Sequence, residues 1–309
     1  AQARLQQISK RYERASEKKQ VAGKNKGPDK DALIATLRRE LASFKQKKTD
    51  SNLIPYSDVD FGNYYALVIG NNDYQYLTKL ETAVNGARAV SKILKNKYGF
   101  EVVMLENATR TMTLKAMNRY VKQLKKSDNL LIYYAGHGQI NEKTKTGYWQ
   151  PVDAEEDDDT NWISGETINN KLVQLRANNI IVIADSCYAG LVHRSSTLPI
   201  QPMGQESDEA YYQNLINLQT RLALTSGGNQ PVVDQIRGDS NSIFTGALID
   251  LLQKNKGILR MQKLALDLGS RVSRLASADR LKQIPEFKGL DRANHEGGDF
   301  LIVPKKLQK

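Results

Sequence analysis

Cys187 is the only cysteine among 309 residues, and His137 is one of three histidines. Each closes an apolar run. Leu-Leu-Ile-Tyr-Tyr-Ala leads into Gly136-His137-Gly138, and Ile-Ile-Val-Ile-Ala leads into Asp185-Ser186-Cys187-Tyr188-Ala189-Gly190. A thiol with an ordinary pKa of about 8.5 is mostly protonated at neutral pH, and the thiolate is the useful nucleophile. An imidazole beside it can take that proton, or hold it within an ion pair, and later return it to a leaving amine. The glycines around His137 let backbone approach a substrate closely, and the amides of Gly138 and Cys187 could then point at a developing oxyanion. Taken singly, a cysteine ending an apolar strand is ordinarily a buried small hydrophobe, and a histidine in a glycine turn is ordinarily structural. Paired at the ends of two apolar strands, they read as a nucleophile and its general base.

Such a pair needs two neighbouring strands to carry it, because in open α/β sheets the functional crevice lies beyond the carboxyl ends of the strands. From Tyr64 onward the chain alternates short apolar runs with amphipathic segments, the pattern of a mainly parallel sheet with helices on both faces. Strands are predicted at Tyr64–Ile69, Phe100–Leu105, Leu130–Tyr134, Asn179–Ala184 and Leu222–Thr225, with a final strand at Phe300–Val303 closing the domain. Helices are predicted at Val84–Lys97, Thr113–Leu124, Tyr211–Leu218, Ser242–Gln253 and Leu259–Leu275. Between His193 and Asp208 the chain is polar and aperiodic, with Pro199, Pro202 and Gly204, and reads as a long surface connection. No internal repeat is present.

The first 50 residues differ from the rest. They hold 14 Lys and Arg against 6 Asp and Glu, so they carry +8 of the net charge of +11. Leu5, Ile8, Tyr12 and Ala15, then Leu33, Leu37 and Leu41, recur at helical spacing, interrupted by Gly23, Gly27 and Pro28. This predicts a basic helical arm on a domain of about 250 residues, either packed as a hairpin or serving as a partner-binding or self-associating element. Nucleic acid is not the expected partner, since aromatic interleaving and zinc-finger spacing are missing from the arm. One cysteine excludes an intrachain disulfide and a multi-cysteine zinc site. No apolar run approaches the roughly 20 residues that span a bilayer. The expectation is a soluble chain, cytoplasmic, with a removed signal or anchor upstream left open.

The two turns carry a resemblance. Tyr-Tyr-Ala-Gly-His-Gly followed by Ala-Asp-Ser-Cys-Tyr-Ala-Gly resembles the catalytic signature of bacterial caspase-family peptidases, relatives of metacaspases in the caspase clan. Tyr65 to Asn72 (YALVIGNN), Gly147 to Ala154 (GYWQPVDA), Ala223 to Gly228 (ALTSGG) and His295 to Phe300 (HEGGDF) are similar to segments of such domains. The resemblance covers about residues 62 to 304 and leaves out the arm. It implies a caspase-like sandwich that hydrolyses peptide bonds through a thioester, without a redox cofactor. His137 and Cys187 take the dyad roles, and Gly138 shares the oxyanion role with Cys187.

Caspases carry Gln two residues before the nucleophile; this chain has Asp185. In metacaspases the equivalent acid lines the pocket for Arg or Lys, so the resemblance implies cleavage of a protein or peptide substrate after a basic residue. The other reading of Asp185 is a helix cap. Metacaspases usually add a second acid in an Asn-Asp pair after the first strand, where this chain has Asn85-Gly86. Asp153 is the candidate replacement. Five consecutive acids, Glu155 to Asp159, could attract the calcium that activates many metacaspases, although a bare run is ordinarily a solvated surface and no metal ligand is assigned. The 193–208 segment contains Arg194 and is a candidate for self-processing of a zymogen. His193 and His295 follow no strand into a glycine turn and are assigned exposed or packing roles. The alternative function is a catalytically silent or zymogen module that binds partners as a scaffold. Nucleotide binding is disfavoured, because neither a phosphate-binding loop nor a G-x-G-x-x-G turn is present.

Overall fold

The computed structural model describes residues 59–186, 209–227 and 240–308, all within the unit Tyr56–Lys309. The basic arm, Cys187, His193, Arg194 and the 193–208 connection lie outside the described residues. In chain order the elements are β1 (Tyr64–Gly70), α1 (Ala83–Tyr98), β2 (Glu101–Glu106), α2 (Arg110–Gln123), β3 (Asn129–Ala135), β4 (Gly138–Asn141), β5 (Thr146–Trp149) and β6 (Ile163–Ser164). Then follow α3 (Gly165–Gln174), β7 (Asn179–Asp185), α4 (Glu209–Asn217), β8 (Thr220–Thr225), α5 (Ile243–Lys254), β9 (Leu259–Arg260), α6 (Met261–Ala278), β10 (Glu286–Gly289) and β11 (Leu301–Ile302).

Six strands form the central sheet in the order β10-β8-β7-β3-β1-β2. All neighbours run parallel except β10, which is antiparallel to β8. β3, β7 and β8 are buried along their whole length, as strands covered on both faces must be. Alternate residues feed two cores. Leu131, Tyr133, Ile181, Ile183, Leu222 and Leu224 pack with residues of α1, α5 and α6. On the other face Leu130, Ile132, Tyr134, Ile180 and Val182 pack with Met117 and Tyr120 of α2 and Ile168 and Leu172 of α3. The result is the expected α/β sandwich with a mainly parallel sheet.

The strands predicted from the apolar runs, the closing one included, lie within two residues of their observed bounds. The predicted closing strand at Phe300–Val303 does not join the central sheet. Leu301 and Ile302 pair antiparallel with Leu259 and Arg260, and the central sheet is extended instead by β10. Beside the β9–β11 pairing, Arg260 Nε and Asp299 Oδ2 form a buried ion pair at 2.9 Å. A small antiparallel sheet, β4-β5-β6, springs from the residue after His137. Among the described residues no helix is long and apolar enough to cross a membrane.

Candidate active site

Register sets the ends of the two strands that lead into His137 and Cys187 side by side. β3 and β7 pair residue for residue, ending with Ala135 opposite Asp185. His137 and Cys187 each stand two positions beyond that last pair, and the Gly136 amide donates to the Asp185 carbonyl at 3.3 Å. Ser186 is buried and is the last described residue before Cys187.

His137 is held through its ring, its amide and its carbonyl. Its Nε2 lies 2.7 Å from the Thr78 carbonyl oxygen. A carbonyl only accepts, so Nε2 carries the hydrogen and the neutral ring keeps its lone pair on Nδ1. The His137 amide donates to the Tyr74 hydroxyl at 2.6 Å, and the Tyr74 ring lies 4.5 Å from the imidazole, tilted by 53°. The His137 carbonyl accepts from the Gln150 amide at 3.0 Å and from the Tyr134 hydroxyl at 2.7 Å. Tyr134 has a single proton, shared with the Gln150 carbonyl at 2.9 Å, and its ring stacks on Trp149 at 4.3 Å. Burial, and then the neighbouring Tyr74, push the Tyr134 phenol far above its usual range, so it stays a hydroxyl. Gly136 has to be glycine, because a Cβ there would sit 2.6 Å from the Tyr74 hydroxyl and 2.9 Å from that of Tyr134. Gly138 is buried and opens β4 opposite Trp149.

Asp185 is 8 % exposed and faces the start of α5. Its Oδ2 accepts from the Ser242 hydroxyl and from the Thr245 hydroxyl at 2.6 Å. Ser242 is the N-cap of α5, where its Oγ accepts from the Thr245 amide at 3.0 Å. Since Thr245 gives its proton to Asp185, the Tyr133 hydroxyl that meets Thr245 is the donor in that bond. A helix N-terminus favours negative charge, so this position suits an ionised carboxylate. Burial, followed by the Asp185 charge, pushes the Tyr133 phenol well above its usual value.

The structure does not place Asp153 beside Asp185. Asp153 Oδ1 accepts from the Arg110 amide at 2.8 Å, at the start of α2, and α2 packs on the sheet face opposite to α5. The missing companion acid at Gly86 has a steric explanation. A Cβ on Gly86 would come within 2.8 Å of Thr245 Cγ2 and 3.4 Å of Asn241 Oδ1. Glu155 to Asp159 are exposed. Within that run Asp158 accepts from the Thr160 amide at 2.8 Å, and the Thr160 hydrogen bonds hold its carboxyl below the usual range. Among the described residues, no three His, Cys, Asp or Glu side chains converge as metal ligands. His295 has a structural contact far from His137 in the sheet, accepting from the Arg221 amide at 3.1 Å at the start of β8.

Tyr74, Thr78, Tyr134, Ser242 and Thr245 escaped the reading of the sequence. Ser242 was visible as an N-cap ahead of an apolar run. Tyr74 and Thr78 belong to an aperiodic loop, and nothing in their spacing shows that it folds back over His137.

Comparison with known proteins agrees with this fold. The caspase-domain family profile matches residues 63–293. Metacaspase-1A of Aspergillus oryzae is 25 % identical over 154 residues, covering 42 % of this chain and 35 % of its own length. Metacaspase-1 of Saccharomyces cerevisiae is 24 % identical over 156 residues, covering 42 % and 34 %. The matched part thus spans about a third of these relatives. Among solved structures, protein GSU0716 of Geobacter sulfurreducens superimposes with a TM-score of 0.50 at 20 % identity, covering 74 % of this chain and 93 % of that one, which shows a shared fold. With the profile matched across most of the sandwich, the chain belongs to the caspase-domain family of cysteine peptidases.

Proposed function

We propose that this protein is a cysteine endopeptidase that cleaves after Arg or Lys, with Cys187 as nucleophile and His137 as general base. The observation that carries the reading is the bond from His137 Nε2 to the Thr78 carbonyl at 2.7 Å. It leaves Nδ1 as the basic atom on a residue at the strand end that pairs with the strand leading to Cys187. In the proposed reaction the Cys187 thiol passes its proton to Nδ1 and the sulfur attacks the scissile carbonyl carbon. The amides of Gly138 and Cys187 stabilise the oxyanion. The imidazolium then protonates the leaving amine, and the thioester is hydrolysed by a water that His137 deprotonates.

Basic specificity rests on Asp185, a carboxylate two residues before the nucleophile and set at the N-terminus of α5. An anion there attracts a substrate cation and repels an acidic side chain. Fluorogenic peptides ending in Arg, Lys or Asp should show cleavage after Arg and Lys by the wild type and none by Cys187→Ala. Preference for Asp would overturn the specificity. Cleavage that survives Cys187→Ala would overturn the mechanism, and no cleavage by the wild type would favour the silent or zymogen scaffold.

A further inference from the structure

The loop between β1 and α1 reaches over the end of β3 and touches His137 through more than the Thr78 carbonyl. Tyr74, four residues before Thr78, is 3 % exposed, and both ends of its side chain are engaged with the same histidine. The hydroxyl accepts from the His137 amide, and the ring lies against the imidazole. Since Tyr134 and Gln150 hold the His137 carbonyl, the turn is fixed before a substrate arrives. We propose that Tyr74 is a positioning residue for the dyad, its hydroxyl fixing the His137 peptide and its ring supporting the imidazolium that forms when Cys187 gives up its proton. The proposal rests on the reading of His137 and Cys187 as base and nucleophile.

Two physical effects are separable in this one side chain. The hydroxyl supplies the acceptor for an amide in a tight glycine turn, where Gly136 leaves room for it. Without it that amide must find another partner or shift. The ring lies 4.5 Å from the imidazole, tilted by 53°, within the separation at which an aromatic ring is attracted to a cation more than to a neutral group. A stabilised imidazolium favours the thiolate, so the ring lowers the pH at which Cys187 becomes reactive. The other titratable or charged groups on the elements around His137 are Tyr134 on its own strand, Asp185 on β7, and Asp73, Lys79 and Glu81 on the loop. Of these, Asp73 and Lys79 pair with each other at 3.3 Å.

The test uses the fact that Cys187 is the sole cysteine. The rate of its alkylation by iodoacetamide, followed against pH in the full chain, reads the thiolate population at this site alone. Wild type should become reactive at lower pH than His137→Ala; if the two profiles coincide, the dyad reading itself fails. With that difference established, Tyr74→Leu should move the profile upward by roughly half a unit or more, as the loss of an aromatic–cation contact implies. Tyr74→Phe keeps the ring and should recover most of that shift. It should still lower kcat on an Arg-terminated peptide by about 10- to 100-fold, the cost of a misplaced catalytic group, with KM little changed. Unchanged profiles and unchanged kcat in both variants overturn the positioning role and leave the dyad standing. Circular dichroism checks folding; if Tyr74→Leu does not fold, the kcat of Tyr74→Phe decides.

Discussion

Thr245 donates to the Asp185 carboxylate at 2.6 Å, while its methyl carbon occupies the space above Gly86. One side chain therefore supports the acid two residues before Cys187 and occupies the space a second acid on α1 would need. Gly86→Asp should destabilise the fold by about 1–3 kcal/mol, the usual cost of overpacking, read from chemical denaturation. In a Thr245→Ser background, which removes the methyl and keeps the hydroxyl, the same substitution should cost clearly less. Simple additivity of the two changes would show that the contact is not what excludes the acid.

Asp185 and Asp153 stand at the starts of helices on opposite sheet faces, so their removal should separate cleanly. Asp185→Asn keeps hydrogen-bonding capacity for Ser242 and Thr245 but removes the charge. It should cut the preference for Arg over an uncharged residue by roughly 10- to 100-fold in kcat/KM. Asp153→Asn keeps an acceptor for the Arg110 amide but removes the negative charge from the start of α2, and should lower stability by about 0.3–1 kcal/mol with the preference unchanged. A loss of basic preference in Asp153→Asn instead would assign the pocket to the wrong carboxylate.

How much of this was legible in the sequence follows from the range of the interactions. Strands β1, β3, β7 and β8 announce themselves because each is buried on both faces and must be a continuous apolar run, and the glycine-flanked His137 marks a strand end. The partners of His137 and Asp185 do not announce themselves. Thr78 acts through its carbonyl, which any residue supplies, and Tyr74 sits in a loop without period. Thr245 meets Asp185 across 60 residues of chain. The Phe300–Val303 run was readable as a strand, but its partner, Leu259–Arg260, is a two-residue strand too short to show a period of its own.

The Thr78 contact itself makes a sharp prediction. Its side chain is exposed and only the carbonyl touches His137. Thr78→Ala should therefore leave kcat within about twofold and the alkylation profile of Cys187 unmoved, since no group that sets the tautomer is lost. A large loss on Thr78→Ala, with the fold intact by circular dichroism, would mean that the hydroxyl has a role the geometry does not give it.

Arg260 and Asp299 are each 5 % exposed in their side chains, and Asp299 Oδ1 also accepts from the Gln262 amide at 3.2 Å. Burial raises the Asp299 carboxyl above its ordinary value against the opposing pull of Arg260. A carboxylate raised in this way binds more protons folded than unfolded. Its contribution to stability therefore falls as pH rises from the unfolded value, about 3.9, through the raised folded one. Arg260→Met removes the opposing cation and should strengthen this trend while costing about 3–5 kcal/mol at neutral pH, because a buried charge loses its partner. Relative to wild type, the variant should regain stability on acidification through the carboxylate range, and Arg260→Met with Asp299→Leu should be less destabilised than Arg260→Met alone. Urea denaturation at several pH values measures both. A constant difference between Arg260→Met and wild type at every pH would show that the ionisation of Asp299 is not what the arginine compensates.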